Sequence, residues 1–568
     1  MLRLQDATVR YGRATALTAL SGEFRPGTVS ALVGGDGAGK STLLRLLAGR
    51  VPAATPGAVK WEGPQGQRRP TVGYQGEGDG VWRQLSVAEN VEFAARVHRL
   101  PAATWQPRAK KLLELAGLGE VGGRLAGRLS GGMRKKLGFV LAALHRPDLL
   151  LLDEPTTGVD PDSRAQIWAL LRAAAGEGAT VVLATTYLDE AARADRVFFL
   201  ADGDLLAVGT PAEVCAQAPG RIWRLPEGEE CLPEGEECLP EGRTWNVGRA
   251  RYGWTPTTQT PPAGAQEERA PSLENAAIAL LLARQEGMDD AAAPPPGERG
   301  AERAGVGSTD GVRAEDAGAG AVGVGVEGAP VREAAGEGVG VEAAGAAVGV
   351  GRPLARATEV RCRFGSFEAL KGVDLEVRPG QVVGLIGGNG AGKTTLMRIL
   401  LGLEQPSGGR AELMGLAPGR QGRRHIGYLA QGLGLYPSLN ARQNLELVAR
   451  VHGAQIGTEA AAFAAQLGGA PVGGLPLGAR RVLAFHAANV HRPRLLILDE
   501  PTSGLDPLGR ARLWQQLRMR ARAGAGILVT THYLQEAEQC DQLVLLREGE
   551  VIGAGAPAEL DLAGLFSR

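Results

Sequence analysis

The sequence predicts an α/β fold that occurs twice, each copy a mostly parallel sheet with helices on both faces. Short apolar runs such as Leu149–Leu152 and Val181–Ala184 lie between helical segments, which is typical of strands buried on both faces. A glycine-rich loop occurs in each half, and the same motifs follow it in the same order. The chain is therefore an internal duplication.

Each half carries the pattern G-x-x-x-x-G-K-[ST] between a β-branched run and a leucine-rich helical segment. Glycines let backbone N–H groups point inward around a phosphate, and the helix N-terminus adds positive potential. A plain glycine turn is the alternative, but strand, loop and helix are in register twice. The predicted nucleotide-binding residues are Gly34, Asp36, Gly37, Gly39, Lys40, Ser41 and Thr42, and in the second half Gly387, Asn389, Gly390, Gly392, Lys393, Thr394 and Thr395.

We expect Lys40 and Lys393 to reach the β- and γ-phosphates, and Ser41 and Thr394 to bind Mg²⁺. This makes ATP and Mg²⁺ the expected cofactors.

An Asp-Glu pair ends a leucine-rich strand in each half. A carboxylate at that strand end can hold Mg²⁺ directly or through water, which predicts Asp153 and Asp499 as metal ligands. The next residue, Glu154 or Glu500, can orient or deprotonate an attacking water. Helix capping is the ordinary explanation of such a pair, but its place behind a phosphate loop favours catalysis.

Length and composition exclude several classes of protein. The 568 residues are too many for one core, and 62 basic residues balance 62 acidic ones, so charge gives no reason to expect nucleic acid. Five cysteines without C-x-x-C spacing predict neither a disulfide framework nor a zinc site. No signal peptide is evident at the N-terminus, and no run of eighteen apolar residues could span a bilayer.

We expect four regions. Residues 1–220 and 353–568 are two nucleotide-binding domains, and residues 221–288 are a tail of the first domain that ends in a helix. Residues 289–352 contain no Leu, Ile, Met or aromatic residue, so they cannot build a core. This composition predicts a disordered linker.

Further motifs carry a resemblance to a known family. Leu129-Ser130-Gly131-Gly132-Met133 precedes the first Asp-Glu strand, and Thr157-Gly158-Val159-Asp160, Ser503-Gly504-Leu505-Asp506 and Thr531-His532 lie downstream. This ordered set resembles the ATP-binding cassette (ABC) ATPases over both halves, without the linker and residues 221 to about 271. The resemblance implies two P-loop NTPase cassettes, each with a helical subdomain that carries the signature motif and a small antiparallel β part.

The resemblance also implies that the cassettes pack head to tail within the chain. Each ATP then lies between one phosphate loop and the other cassette's signature, whose serine and glycines (here Ser130, Gly131 and Gly132) contact the γ-phosphate. Tyr11 and Phe364 occupy the places of an aromatic that stacks on adenine, although Phe364 could equally belong to the core.

Departures from the family pattern segregate by site. The Q-loop glutamine of the first copy is replaced by Glu77, with Gln75 as a less suitable substitute, and its switch histidine is replaced by Thr186. The second signature reads Leu475-Pro476-Leu477-Gly478, without the serine. All three losses fall on the site of Lys40.

The site of Lys393 keeps its parts. Its expected catalytic residues are Glu500, His532 and Gln431, and Gln431 is also an expected Mg²⁺ ligand. Glu154 is an expected catalytic residue of the other site. Because this glutamate is retained, the sequence does not exclude slow hydrolysis there. The sequence therefore predicts one competent and one degenerate composite ATP site.

Within the family, Thr186-Tyr187-Leu188-Asp189-Glu190-Ala191 and Pro271-Ser272-Leu273-Glu274 resemble fused cassettes of ABC-2 type (multidrug) exporters. This implies ABC-2 type permease subunits on other chains, received at residues 78–90 and 432–444, and a cytoplasmic location at the inner face of the cell membrane. No nucleic acid partner is expected.

The alternative is a soluble double-cassette ATPase acting on ribosomes or nucleic acid. The linker lacks a basic helical character and one signature is broken, so we favour transport. A nucleotide-free structural role is a third possibility.

Overall fold

The structure, a computed structural model, describes residues 1–12, 14–62, 69–157, 159, 161–225, 243–248, 250–257, 259, 264–287, 352–388, 390–531 and 533–560. Apart from Arg352, the predicted linker (289–352) lies outside the described residues. The described residues of both cassettes and of the tail belong to one compact unit, formed by Met1–Ala292 and Arg352–Arg568.

The first cassette has nine strands and seven α-helices among its described residues. The strands are β1 (Leu2–Tyr11), β2 (Ala14–Phe24), β3 (Val29–Val33), β4 (Val59–Trp61), β5 (Val72–Gln75), β6 (Leu149–Asp153), β7 (Thr180–Thr185), β8 (Arg196–Ala201) and β9 (Asp204–Gly209). The helices are α1 (Lys40–Leu47), α2 (Val87–Val97), α3 (Ala102–Leu115), α4 (Gly131–Ala143), α5 (Pro161–Gly176), α6 (Leu188–Ala191) and α7 (Pro211–Ala216).

The tail forms four short strands and one helix. They are β10 (Arg221–Leu225), β11 (Thr244–Val247), β12 (Ala250–Thr255), β13 (Gln266–Glu267) and α8 (Leu273–Gln285).

The second cassette has the same number of strands as the first, nine among its described residues, but its helices differ in order at two places. Its strands are β14 (Ala355–Phe364), β15 (Phe367–Val377), β16 (Val382–Gly387), β17 (Gly408–Leu413), β18 (Ile426–Leu429), β19 (Leu495–Asp499), β20 (Gly526–Thr531), β21 (Gln542–Arg547) and β22 (Glu550–Gly555). Its helices are α9 (Lys393–Leu400), α10 (Arg420–Arg423), α11 (Ala441–His452), α12 (Thr458–Gln466), α13 (Leu477–Asn489), α14 (Pro507–Arg522) and α15 (Leu534–Ala537).

Each cassette contains a six-stranded sheet, with the order β5-β6-β7-β3-β8-β9 in the first and β18-β19-β20-β16-β21-β22 in the second. All neighbours are parallel except the last pair of each sheet. Every residue of β3, β6 and β7 is buried, because helices cover both faces. A three-stranded antiparallel sheet accompanies each large one (β2-β1-β4 and β15-β14-β17). The predicted fold class is confirmed.

Parallel strands place their carboxyl ends at one edge of the sheet. The phosphate loop follows β3 or β16 at this edge, and the Asp-Glu pair ends β6 or β19 there. The long helices α2 to α4, and α11 to α13, form the helical subdomains that carry the signatures.

A stacked pair of histidines recurs in both cassettes. His98, which caps α2, stacks on His145 with ring centroids 3.8 Å apart, and His452 stacks on His491 at the same distance. Each pair joins the end of the first subdomain helix to the segment that enters β6 or β19.

The tail packs on the second cassette. Leu508 and Ala511 of α14 belong to the same buried cluster as Ile278 and Leu281 of α8. At the end of α8, Gln285 Oε1 accepts a hydrogen bond of 2.8 Å from Arg512 Nη2.

The equivalent helix of the first cassette is not covered in this way. Ala511 of α14 is only 7% exposed, whereas Ala165, its counterpart on α5, is exposed. Among the described residues, the two cassettes therefore differ here, because the tail covers α14 and leaves this position of α5 exposed.

Candidate functional site

Both phosphate loops depend on glycines with positive φ. Gly37 and Gly39 have φ of 87° and 99°, and Gly390 and Gly392 have 82° and 104°. Such angles strain any side chain. A Cβ on Gly39 would also lie 2.9 Å from the carbonyl oxygen of Ala16, and one on Gly392 would lie 2.7 Å from that of Ala369. The loops therefore keep their shape only with glycine at these positions.

The lysines of the two loops make the same contacts. Lys40 Nζ donates to the carbonyls of Gly34 (2.8 Å) and Gly35 (3.0 Å). Lys393 Nζ donates to those of Gly387 (2.7 Å) and Gly388 (3.0 Å). Each ammonium group thus lies at the concave side of its loop, and burial lowers the pKa of Lys393.

A hydroxyl and a carboxylate meet at each loop, as Mg²⁺ would require. Ser41 Oγ lies 3.1 Å from Asp153 Oδ1, and Thr394 Oγ1 lies 3.4 Å from Asp499 Oδ2. Among the described residues no three His, Cys, Asp or Glu side chains cluster to hold a metal. These oxygen pairs nevertheless fit Mg²⁺, which takes few protein ligands and completes its shell with phosphate oxygens and water.

The glutamate after each Asp has a left-handed backbone, with φ of 49° at both Glu154 and Glu500. A non-glycine residue in this region is strained, and such strain is often found at functional sites. Glu154 Oε1 lies 3.8 Å from Lys40 Nζ, and its other oxygen accepts from Thr157 Oγ1 at 2.6 Å. Burial raises the pKa of Glu154 above its usual range, and Lys40 opposes this rise.

The two Q-loop positions are equivalent in the structure. Tyr74 pairs with Leu151 and Tyr428 pairs with Ile497, in the same register, which aligns Glu77 with Gln431. Both side chains are exposed.

Gln75 is not placed to act as the Q-loop glutamine of the first cassette. It is buried at the end of β5, and its Nε2 donates to the Lys135 carbonyl at 3.0 Å.

The two signatures differ at the start of their helices. Ser130 is the N-cap of α4, and its Oγ accepts from the backbone N–H of Met133 at 3.2 Å. Pro476 holds the same position before α13 and makes no side-chain cap bond. It also has no N–H group to donate.

The first phosphate loop lies directly against the second cassette. The backbone N–H of Asp36 donates to the Gly504 carbonyl at 3.2 Å. A Cβ added at Gly35 would lie 2.9 Å from Asp506 Cβ, and one at Gly37 would lie 3.4 Å from Pro476 Cβ. Residues of the second signature and of the segment after the second Asp-Glu therefore border the loop of Lys40.

The contacts of the second loop are only partly described: a Cβ at Gly390, the counterpart of Gly37, would meet nothing within 4 Å. Asn389 and Asp160, the counterparts of Asp36 and Asp506, lie outside the described residues, as do Gly158 and His532. Thr186, which holds the switch position of the first cassette, is buried.

Comparison with known proteins identifies the family. A family model described as ABC transporter matches residues 17–157 and 370–503. The "Probable multidrug ABC transporter ATP-binding protein YbhF" of Escherichia coli is 32% identical, over 96% of this chain and 91% of its own length. The chain belongs to the ABC transporter ATP-binding family. Consequently, it is an ATPase that binds and hydrolyses ATP.

Two shorter relatives each align with about one cassette of this chain. The Nod factor export ATP-binding protein I of Ralstonia nicotianae is 37% identical over 37% of this chain and 68% of its own. The daunorubicin resistance ATP-binding protein DrrA3 of Streptomyces coeruleorubidus is 42% identical over 35% of this chain and 66% of its own.

The aromatic residues predicted beside adenine in this ABC ATPase are at the surface. Tyr11 is 46% and Phe364 is 48% exposed, each at the end of its strand. The alternative that Phe364 belongs to the core is therefore wrong. Its strand ends at the surface, so the ring lacks neighbours that would cover it.

Two polar features beside the Asp-Glu pairs of this ABC ATPase lie outside the sequence motifs. Thr530 Oγ1 donates to Asp499 Oδ1 at 2.7 Å and accepts from the Glu500 N–H at 2.8 Å. Its counterpart in the first cassette is Ala184, which has no hydroxyl to donate to Asp153; there the backbone carbonyl of Ala184 accepts from the Glu154 N–H at 3.0 Å. Comparing the two copies position by position would have found this difference.

The second such feature is a cation of the signature helix. Lys135 Nζ donates to the carbonyls of Glu77 and Glu154, both at 2.9 Å. Arg481 at the equivalent position donates to the Glu500 carbonyl. Each cation thus links a signature helix to its own Asp-Glu segment, and the only sequence signal is a basic residue five positions after Ser130 and Pro476.

Among the described residues, no helix combines the length and apolar character needed to cross a membrane.

Proposed function

We propose that this chain is the ATP-hydrolysing subunit of an ABC-2 type exporter and drives permease subunits carried on separate chains. Its relatives include proteins named for multidrug transport, Nod factor export and daunorubicin resistance. The balanced net charge and these relatives give no support to a role on ribosomes or nucleic acid. As such a subunit it lies at the cytoplasmic face of the cell membrane.

We further propose that the site of Lys393 hydrolyses ATP and that the site of Lys40 mainly binds it. The observation that carries this is the contact of Pro476 with the first loop, where a Cβ on Gly37 would lie 3.4 Å away. A proline there offers neither the hydroxyl nor the N–H that a signature serine brings to the γ-phosphate. Losing one such donor costs about a hundredfold in comparable sites.

In the competent site, each residue has a distinct role. Glu500 orients or deprotonates the attacking water, and His532 stabilises charge on the γ-phosphate. Thr394, Asp499 and Gln431 would hold Mg²⁺, which would neutralise charge on the phosphates. Lys393 and the loop amides bind the phosphates, Ser130 and the amides of Gly131 and Gly132 close the site from the other cassette, and Phe364 stacks on adenine.

The degenerate site keeps the binding residues of its own loop. Lys40 bonds the same loop carbonyls as Lys393, and Ser41 bonds Asp153 as Thr394 bonds Asp499. Tyr11 stacks on adenine. Thr157 and Lys40 hold Glu154 in place, so this site can still hydrolyse ATP slowly.

The permease contacts lie on equivalent segments of the two cassettes. Trp82 and Val97 are 56% and 61% exposed, and their counterparts Tyr436 and Val451 are 57% and 76% exposed. Trp82 also stacks edge-on against Phe93 at 5.5 Å. Large apolar side chains exposed together are typical of interaction surfaces. Their occurrence at both copies supports two similar permease subunits.

The test compares Glu154→Gln with Glu500→Gln in the full chain. Glu500→Gln is expected to lose at least 99% of phosphate release, because the competent site then lacks its base. Glu154→Gln is expected to retain more than half. ATP binding to both variants serves as the folding control. Equal losses in the two variants would refute the assignment of one competent site.

A further inference from the structure

Two buried tyrosines from different cassettes meet. Tyr187 follows Thr186 and Tyr533 follows His532, so each comes directly after a switch position. Their ring centroids are 5.0 Å apart with planes tilted by 32°. The rings are 1% and 8% exposed. The segments that follow the two switches are therefore in direct contact.

An arginine of the same cassette lies over each ring. The Arg164 guanidinium is 4.7 Å from the Tyr187 centroid, and that of Arg510 is 4.4 Å from the Tyr533 centroid. We call these four residues the arginine–tyrosine ladder. Cation–π and aromatic contacts both stabilise this arrangement, more so when they are buried.

Buried carboxylates hold the two arginines in place. Arg164 Nε lies 3.5 Å from Glu190 Oε1, and Arg510 Nε lies 3.6 Å from Glu536 Oε1. Both glutamates are 1% exposed. The ladder therefore has its own charge partners and belongs to neither phosphate loop.

The same carboxylates fix the backbone of the switch segments. Thr531 Oγ1 donates to Glu536 Oε2 at 2.6 Å and accepts from the Tyr533 N–H at 3.0 Å. Thr185 makes the equivalent pair of bonds with Glu190 and Tyr187. The residues on both sides of His532 in the sequence are thus held from within their own cassette, and Tyr533 is also held by Tyr187 from the other one.

We propose that Tyr187 is a positioning residue for hydrolysis at the opposite site, because it holds Tyr533 and thereby the switch at His532 in its working geometry. The proposal rests on the proposed function, in which the site of Lys393 performs turnover. Tyr187 can support Tyr533 only while the cassettes face each other. Since a displacement of about 1 Å can cost a hundredfold in rate, this contact would tie switch placement to cassette closure.

The experiment measures kcat and ATP KM of full-length variants that carry Glu154→Gln, so that only the site of Lys393 contributes. Adding Tyr187→Ala is expected to lower kcat at least tenfold and to change KM less than threefold, because nucleotide contacts are untouched. Tyr187→Phe keeps the ring contact and is expected to retain at least a third of kcat. Tyr252→Ala, a tyrosine of the tail outside the ladder, is the control and is expected to leave both constants within twofold.

Three outcomes would overturn the proposal. The first is unchanged kcat in Tyr187→Ala. The second is a loss of kcat matched by an equal loss of ATP binding, which a merely structural role would produce. The third is a loss in Tyr187→Phe as large as in Tyr187→Ala, because the ring contact would then not be what holds Tyr533.

Failure of the proposed function looks different. If Glu154→Gln alone abolished turnover, the site assignment would be wrong, and the role of Tyr187 in positioning the switch at His532 would fall with it. If Glu154→Gln kept its turnover and adding Tyr187→Ala left kcat unchanged, the site assignment would stand and only the role of Tyr187 would be refuted.

Discussion

The two phosphate loops are alike, and the residues that surround them are not. Lys40 and Lys393 donate to the same pair of loop carbonyls at distances that agree within 0.1 Å. The differences lie in what each loop faces: Pro476 borders the loop of Lys40, and Ala184 replaces Thr530 beneath its Asp-Glu pair. Binding and hydrolysis can therefore diverge in one duplicated fold, because the loop binds the phosphates while other elements supply the catalytic groups.

The largest expected effect is a difference in ATP turnover between alanine variants of the two loop lysines. Lys393→Ala is expected to lower turnover at least about a hundredfold, because the site proposed to hydrolyse ATP then lacks the ammonium group that opposes the charge of the γ-phosphate. Lys40→Ala is expected to reduce turnover less than about tenfold. Phosphate release and ATP affinity are measured for both variants. Equal losses would mean that the loops, rather than their surroundings, decide which site hydrolyses.

A repaired first site is the next test. In a Glu500→Gln background, we expect Glu77→Gln, Thr186→His, Pro476→Ser and Leu477→Gly together to raise phosphate release roughly tenfold or more, because they return the missing donors. Adding Glu154→Gln is the control and should remove the gain. A repaired chain without any gain would show that the asymmetry has a cause other than these residues.

Thr530 should produce a smaller effect. Thr530→Ala removes the hydroxyl that bonds both Asp499 and Glu500, and makes the second site resemble the first. A hydrogen bond contributes about 0.5–1.5 kcal/mol, so we expect turnover to fall between about twofold and tenfold. Thr530→Ser keeps the hydroxyl and is the matched control, expected to stay near the parent rate in a steady-state ATPase assay.

The smallest effect concerns a feature that the cassettes share. Burial, with the neighbouring histidine, lowers the pKa of His145 and His491 to about 4, and Arg108 and Arg520 add to these shifts. The Val72 carbonyl, and that of Ile426, act in the opposite direction. Since a free histidine titrates near 6.5, the unfolded chain takes up protons first.

The contribution of these histidines to the free energy of unfolding should therefore be fully present above pH 6.5 and be lost as the pH falls toward 4. His145→Phe together with His491→Phe is expected to reduce this dependence, measured by denaturant unfolding at pH 7 and pH 5. The exposed His425→Gln should leave most of it in place. Equal effects of His145→Phe and His491→Phe, each made separately, would show that the two cassettes share this part of their stability.

Much of the fold follows from local pattern. The apolar strands, the glycine loops and the Asp-Glu pairs are short, self-contained signals, and the topology of parallel sheets brings them to one edge. The docking of α8 on α14 and the contact between Tyr187 and Tyr533 depend on packing between segments far apart in the chain. Neither Leu508 nor Tyr533 differs in type from an ordinary core residue, so the sequence alone could not assign them.

The position of the tail bears on how the halves move. Because α8 of the first cassette covers Leu508 and Ala511 of the second, the linker is not needed to keep the halves together. A chain nicked by a protease site inserted within residues 289–352 should still elute from a sizing column as one particle without nucleotide. The helix held by the tail begins beside Asp506, which borders the loop of Lys40. When the two cassettes separate, they would then rotate about the contact at Asp506. The site of Lys393, which lies farther from that contact, would exchange its nucleotide first.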